Sequence, residues 1–203
     1  MSIVVHSFDQ PDRFVSGTVG PPGQRTFFLQ AKEGNRVTSV ALEKQQVSIL
    51  AERVDLLLDQ ALRESGGEAT IPAMAPAGSH DGDPLDQPIV EEFRVGTITL
   101  SWEDTSNLVV IELFPMSEEA VVSESVTADD EDAEAAPEVD LEIEVEASEV
   151  LIVKMEPAYA RAFVRRSQSV VSAGRPACQF CGGPMDPEGH VCPRANGFRR
   201  IAH

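Results

Sequence analysis

The sequence predicts an α+β fold: two β-β-β-α units sharing one antiparallel sheet backed by two helices, followed by a small zinc ribbon-like knuckle. Three observations predict it. The hydrophobic period changes from strand-like to helix-like twice, in the same order, in residues 1–66 and again in 91–174. Each run opens on Phe-x-x-Gly-Thr, as FVSGT (14–18) and FRVGT (93–97). All three cysteines fall in one stretch, CQFCGGPMDPEGHVCPRANG (178–197). The domain reading is therefore a duplicated body over 1–174 and a knuckle with a basic tail over 175–203. Two such units, each too small to bury its own sheet face, gain a common core by joining.

DRFVSGTVG (12–20) alternates like a strand, and PPGQ (21–24) supplies turn chemistry. RTFFLQAKE (25–33) is a second strand, GNR (34–36) a turn, and VTSVALE (37–43) a third strand rich in β-branched residues. The period then changes. Val47, Leu50, Ala51, Val54, Leu57, Leu58 and Ala61 trace one face of a helix, and Gly66 and Gly67 end it. Residues 67–90 hold Gly, Pro, Ala and Asp without periodicity and read as a linker. His80 lies there as part of a solvated loop.

The second run starts with EEFRVGTITLSW (91–102), turns at EDTSN (103–107) and continues with LVVIELF (108–114). EVLIVKM (149–155) is its third strand. Pro157 suits the first turn of a helix, whose inner face carries Ala160, Phe163, Val164 and Val171 and which ends at Gly174. An acidic insert (117–138) separates the second strand from the third. Its core, residues 124–138, has the composition of disorder. VDLEIEVEA (139–147) alternates apolar and acidic residues, which is the period of a strand.

The tail carries the chemistry. Structural zinc takes four ligands in a tetrahedron, preferring thiolate and imidazole. Cys178-Gln-Phe-Cys181-Gly182 sets two sulfurs on one side of a tight loop, and His190 and Cys192 follow after a segment of Gly, Pro and Asp. The predicted metal ligands are Cys178, Cys181, His190 and Cys192, and the predicted cofactor is structural Zn²⁺. His190 and Cys192 are two residues apart, closer than the usual pair; on extended backbone such residues face the same way. His203 and Asp186 are the other candidates for the fourth place. A redox Cys-x-x-Cys would open a helix, whereas this one precedes Gly-Gly-Pro. A catalytic zinc would keep an open position, which four closely spaced ligands do not leave.

Composition bounds the function. The chain has 203 residues, with 42% hydrophobic and 25% charged, enough apolar content for a core. The N-terminal stretch has no signal-peptide pattern and no apolar run is long enough to span a bilayer, so a cytoplasmic protein without membrane partners is expected. Clustered cysteines argue against a secreted disulfide scaffold. The net charge of −18 is uneven. Ser117 to Glu149 holds fourteen acidic residues and no Lys or Arg, while seven Arg follow between Arg161 and His203. Arg161, Arg165, Arg166, Arg194, Arg199 and Arg200 are the candidate partner-binding residues. Phosphate-cradling loops, nucleophile elbows and dinucleotide fingerprints are missing, and no catalytic residue is assigned.

RFVSGTVGPPGQRTFFLQA, ALEKQQVSILAERVDLLLD, EEFRVGTITLSW and above all CQFCGGPMDPEGHVCPRANG resemble an uncharacterised family of actinobacterial proteins, a domain of unknown function sometimes labelled "repeat protein". The resemblance implies a small cytoplasmic protein and no particular activity. The residues support a non-enzymatic zinc-binding adaptor for a protein partner. Two alternatives stand beside it. One is nucleic-acid binding through the Arg-rich end, weakened by the overall charge and by few aromatics for stacking (Phe180 and Phe198). The other is an enzyme of unfamiliar type with a pocket between the units, near Arg13, Arg25 and Glu43.

Overall fold

A computed structural model describes residues 3–21, 23–65, 70–116, 148–174, 178–182, 185 and 192–194. The element order is β1 (Val4–Asp9), β2 (Arg13–Val19), β3 (Thr26–Glu33), β4 (Arg36–Leu42), α1 (Lys44–Glu64), β5 (Glu91–Glu103), β6 (Leu108–Pro115), β7 (Glu149–Met155) and α2 (Pro157–Ser172). The fold is mixed α+β. Among the described residues one seven-stranded sheet runs in the order β1-β7-β6-β5-β4-β3-β2.

The hairpins β2–β3, β3–β4 and β5–β6 are antiparallel, as is the β6–β7 pair, but β4 pairs with β5 in parallel and so does β1 with β7. The purely antiparallel sheet expected from sequence is therefore corrected to a mixed one. The cause is the connection. Helix α1 and the segment after it carry the chain across the sheet, so β5 starts beside β4 in the same direction, as a crossover requires. Strand β1 is an addition that the sequence reading did not contain.

Helix α1 buries Val47, Leu50, Ala51, Val54, Leu58 and Ala61, the stripe its period demands. At its start the Glu43 backbone N–H donates to Gln46 Oε1 at 2.8 Å, half of a capping box, and Gln46 Nε2 donates to the Val95 carbonyl at 3.0 Å, which ties the helix to β5. Helix α2 has Pro at its first position, where the missing N–H is not needed. Both helices share a core with Phe8, Phe14, Leu29, Leu42, Ile111 and Leu151 on one sheet face.

The other face of β2, β3 and β4 is covered too. Val15, Phe28 and Ala41 pack against Leu85, with Ile89 alongside. The described part of the expected linker, 70–90, has no helix or strand of its own: it starts at the helix side, where Ile71 joins the core, and its later part lies on this face as a strap. Gly17 provides its seat, since a Cβ there would stand 2.6 Å from Leu85 Cγ. Polar groups pin the strap. The Gln30 side chain accepts from Asp86 N–H at 2.7 Å and donates to the Asp86 carbonyl at 3.1 Å. Lys32 and Arg13 both hold the Asp86 carboxylate.

The sheet is strongly coiled. Strands β1 and β2 are its opposite edges, yet only Gln10, Pro11 and Asp12 join them. Six interstrand gaps in a flat sheet would separate the edges by about 29 Å, whereas four extended residue steps reach about 14 Å. The edges are drawn together accordingly. Arg36, at the β3–β4 turn, donates to the Ser7 carbonyl of β1 at 2.6 Å and lies 3.9 Å over the Phe8 ring.

The end of α1 expected at Gly66 and Gly67, the acidic insert (117–138) and the strand expected over 139–147 lie outside the described residues. Most of the 175–203 tail does too, including His190, Asp186 and His203.

Candidate metal centre

The tail's local fold follows from Cys-x-x-Cys-Gly. Gly182 has φ +74°, a backbone conformation that an L side chain resists, so glycine is needed there. Its N–H donates to the Cys178 carbonyl at 2.8 Å and closes the turn. Inside the turn, the Phe180 N–H points at Cys178 Sγ, 3.4 Å away. Cys178 and Cys192 are buried and Cys181 is half-buried. Arg194 donates to the Phe180 carbonyl at 3.2 Å, joining the far end of the motif to the first turn.

Cys178, Cys181 and Cys192 converge, with their sulfurs all within 4.8 Å of one another. The Cys178 and Cys192 sulfurs are 3.8 Å apart. A disulfide needs about 2.05 Å. Two thiolates at about 2.3 Å from one tetrahedral zinc stand about 3.8 Å apart. The spacing is that of shared ligands, and no disulfide joins the three cysteines. The Cys178 thiol is held below its ordinary pKa, first by the Cys181 backbone N–H, then by that of Phe180, with the neighbouring thiols adding to it against the opposing effect of burial. Directed backbone donors favour thiolate, the form that binds metal.

This convergence gives the sequence a recognisable context. The family model "Protein of unknown function (DUF3090)" matches residues 6–192. The chain belongs to the DUF3090 family. The match takes in β2 to β7, most of β1, both helices and the three cysteines of this DUF3090 protein. Comparison with curated proteins and with solved structures returned no match.

The candidate arginines divide. Arg161 is buried on α2 and pairs with Asp55 and, at 2.5 Å, with Asp59 of α1, while its Nε donates to the Pro72 carbonyl. Arg166 is buried as well. Its guanidinium donates to the carbonyls of Ser16, Asp81 and Asp83 and to the Asp81 carboxylate. These two arginines join helices, sheet edge and strap from within. Arg165 and Arg194 are exposed, and Arg199 and Arg200 lie outside the described residues. Of the residues named for a pocket between the units, Arg13 forms ion pairs with Asp81 and Asp86, Arg25 donates to the Ala173 carbonyl, and Glu43 pairs with Arg94. They engage different partners.

His6 lies in a second cluster of metal-ligating groups. Its ring and the carboxylates of Glu92 and Glu149 bring their ligand atoms within 4.8 Å of one another. No local spacing signals this, because the three residues come from β1, β5 and β7.

Proposed function

We propose that this DUF3090 protein is a non-enzymatic, zinc-binding adaptor that works in the cytoplasm. Cys178, Cys181 and Cys192 supply three ligands to a structural zinc ion, and His190 supplies the fourth from its place two residues before Cys192. The observation that carries the reading is the 3.8 Å approach of two cysteine sulfurs in a set of three. A module of this size has no core of its own, so metal binding supplies its folding free energy. The body, a duplicated β-β-β-α unit in origin, is its scaffold.

The knuckle then acts as a rigid knob for a protein partner. Phe180 sits between the first two cysteines and is 64% exposed, an aromatic anchor displayed by the metal turn. That exposed ring favours a protein over nucleic acid, since the internal pairing of Arg161 and Arg166 leaves fewer cations for phosphate. No described helix is long and apolar enough to cross a membrane.

The test is affinity capture with the zinc-loaded chain beside Phe180→Ala and Cys181→Ser variants. A partner that is retained by the wild type, released by chelator and absent from both variants supports the adaptor. A partner captured equally by all three forms contradicts it. Binding that falls steeply with salt and needs nucleic acid would replace it with the Arg-based reading.

A further inference from the structure

We propose that His6, Glu92 and Glu149 form a second metal site, for a divalent first-row transition ion, with no residue in common with the cysteine cluster. Three strands deliver the donors: His6 from the middle of β1, Glu149 from the first position of β7 and Glu92 from the second position of β5. The pairing of β1 with β7 fixes two of them, with His6 opposite Leu151 and Val4 opposite Glu149. All three ligand atoms lie within 4.8 Å of one another.

Two observations distinguish this set from an ordinary surface cluster. First, His6 Nε2 and Glu149 Oε2 are 3.4 Å apart. That is long for an N–H···O hydrogen bond, which centres near 2.9–3.0 Å, but it matches two ligands about 2.1 Å from one tetrahedral ion, which stand about 3.4 Å apart. Second, the carboxylates lack a permanent countercharge. Among the described residues neither Glu92 nor Glu149 forms an ion pair with Lys or Arg, although the adjacent Glu91 does. Two carboxylates and an imidazole gathered without a fixed cation are a site for a mobile one. The imidazole selects its class: Mg²⁺ and Ca²⁺ take oxygen ligands, while Zn²⁺, Mn²⁺, Fe²⁺ and Co²⁺ accept nitrogen and carboxylate together. A bound ion would tie the edge strand β1 to β5, with β7 and β6 between them in the sheet.

The test is Co²⁺ titration of the full chain with Cys178, Cys181 and Cys192 all changed to Ser, followed by calorimetry and visible absorption. One Co²⁺ per chain is expected, with nitrogen and oxygen ligation and no sulfur charge-transfer band. His6→Ala and Glu92→Gln should each weaken it by about 100-fold, since even outer-shell changes cost 10–100-fold; Glu92 is exposed, so its variant keeps the fold. In the chain with intact cysteines, His6→Ala should lower the number of Co²⁺ bound by one, which separates this site from the fate of the cysteine cluster. No uptake by the cysteine-free chain, unchanged binding in both variants, or complete displacement of Co²⁺ by equimolar Mg²⁺ would overturn the proposal.

Discussion

Arg166 shows how much of this protein depends on single polar side chains. It is buried and donates to three backbone carbonyls and one carboxylate, at the meeting point of α2, the β2 edge and the strap. Removing it leaves the Ser16 carbonyl and the Asp81 carboxylate short of partners. Arg166→Ala should lower stability by about 2–4 kcal/mol, read from urea unfolding. Arg166→Lys should recover less than half of that, because one ammonium cannot span four acceptors set around a planar fork. Equal stability of the Lys variant and the wild type would mean that charge alone matters.

Asp81 carries the matching pH dependence. Its carboxyl is held below the usual carboxylate range, first by the Arg13 hydrogen bonds and then by the charge of Arg166, against its partial desolvation. Asp86 is shifted the same way, chiefly by Lys32 and then by Arg13. A depressed folded-state pKa gives stability that is fully present above the unfolded value, about 3.9, and is lost as pH falls through the folded value. Stability should therefore be flat from neutrality down to about pH 5 and decline below about pH 4. Asp81→Asn should be weaker at neutral pH and decline less over the acid range. Parallel pH profiles for variant and wild type would contradict this.

At the scale of elements, helix α2 covers one edge of the sheet. On β2, the outward Phe14 N–H donates to Tyr159 Oη at 2.7 Å, and the outward Ser16 carbonyl accepts from Arg166 at 2.8 Å. Helix α2 thereby closes an edge that would otherwise be open to pairing with another chain. Tyr159→Phe keeps the ring and removes only the oxygen. It should cost about 1–2 kcal/mol and speed hydrogen exchange at the Phe14 amide more than at Val15. Unchanged exchange at Phe14 would show that the edge needs no such cover.

The helices and six of the strands were legible in the sequence, because each carries its own period. The α1 stripe from Val47 to Ala61 is a local signal that tertiary packing only fulfils. Strand β1 was not legible: it is held by β7, about 145 residues later, and exposes Ile3, Val4 and Val5, so neither a turn nor a clean alternation marks it. The strap was missed for a related reason. Its docking rests on the isolated apolar residues Ile71, Leu85 and Ile89 and on side chains supplied by β2 and β3. The arginines of α2 show the opposite failure. A basic run looks like a surface, yet Asp55, Asp59 and Asp81 from other elements draw Arg161 and Arg166 inside and leave Arg165 exposed.

At the scale of the whole molecule, the coiled sheet, the strap and the edge-closing helix make one body around a common core. One cavity, about 640 Å³, is lined by Ser65, Thr70, Ser106 and Asn107 together with Glu156, Pro157 and Ala158 at the start of α2. The distinctive chemistry is in the sulfur cluster, where three cysteines readable from spacing alone converge in space. Metal analysis of purified protein, for the wild type beside Cys178→Ser and His190→Ala, tests this most directly. One zinc per chain at the cysteine site in the wild type, none there in Cys178→Ser and weakened retention there in His190→Ala is the result expected of a Cys₃His centre. A metal-free wild type with three reduced thiols, or zinc content indifferent to Cys178, would contradict it.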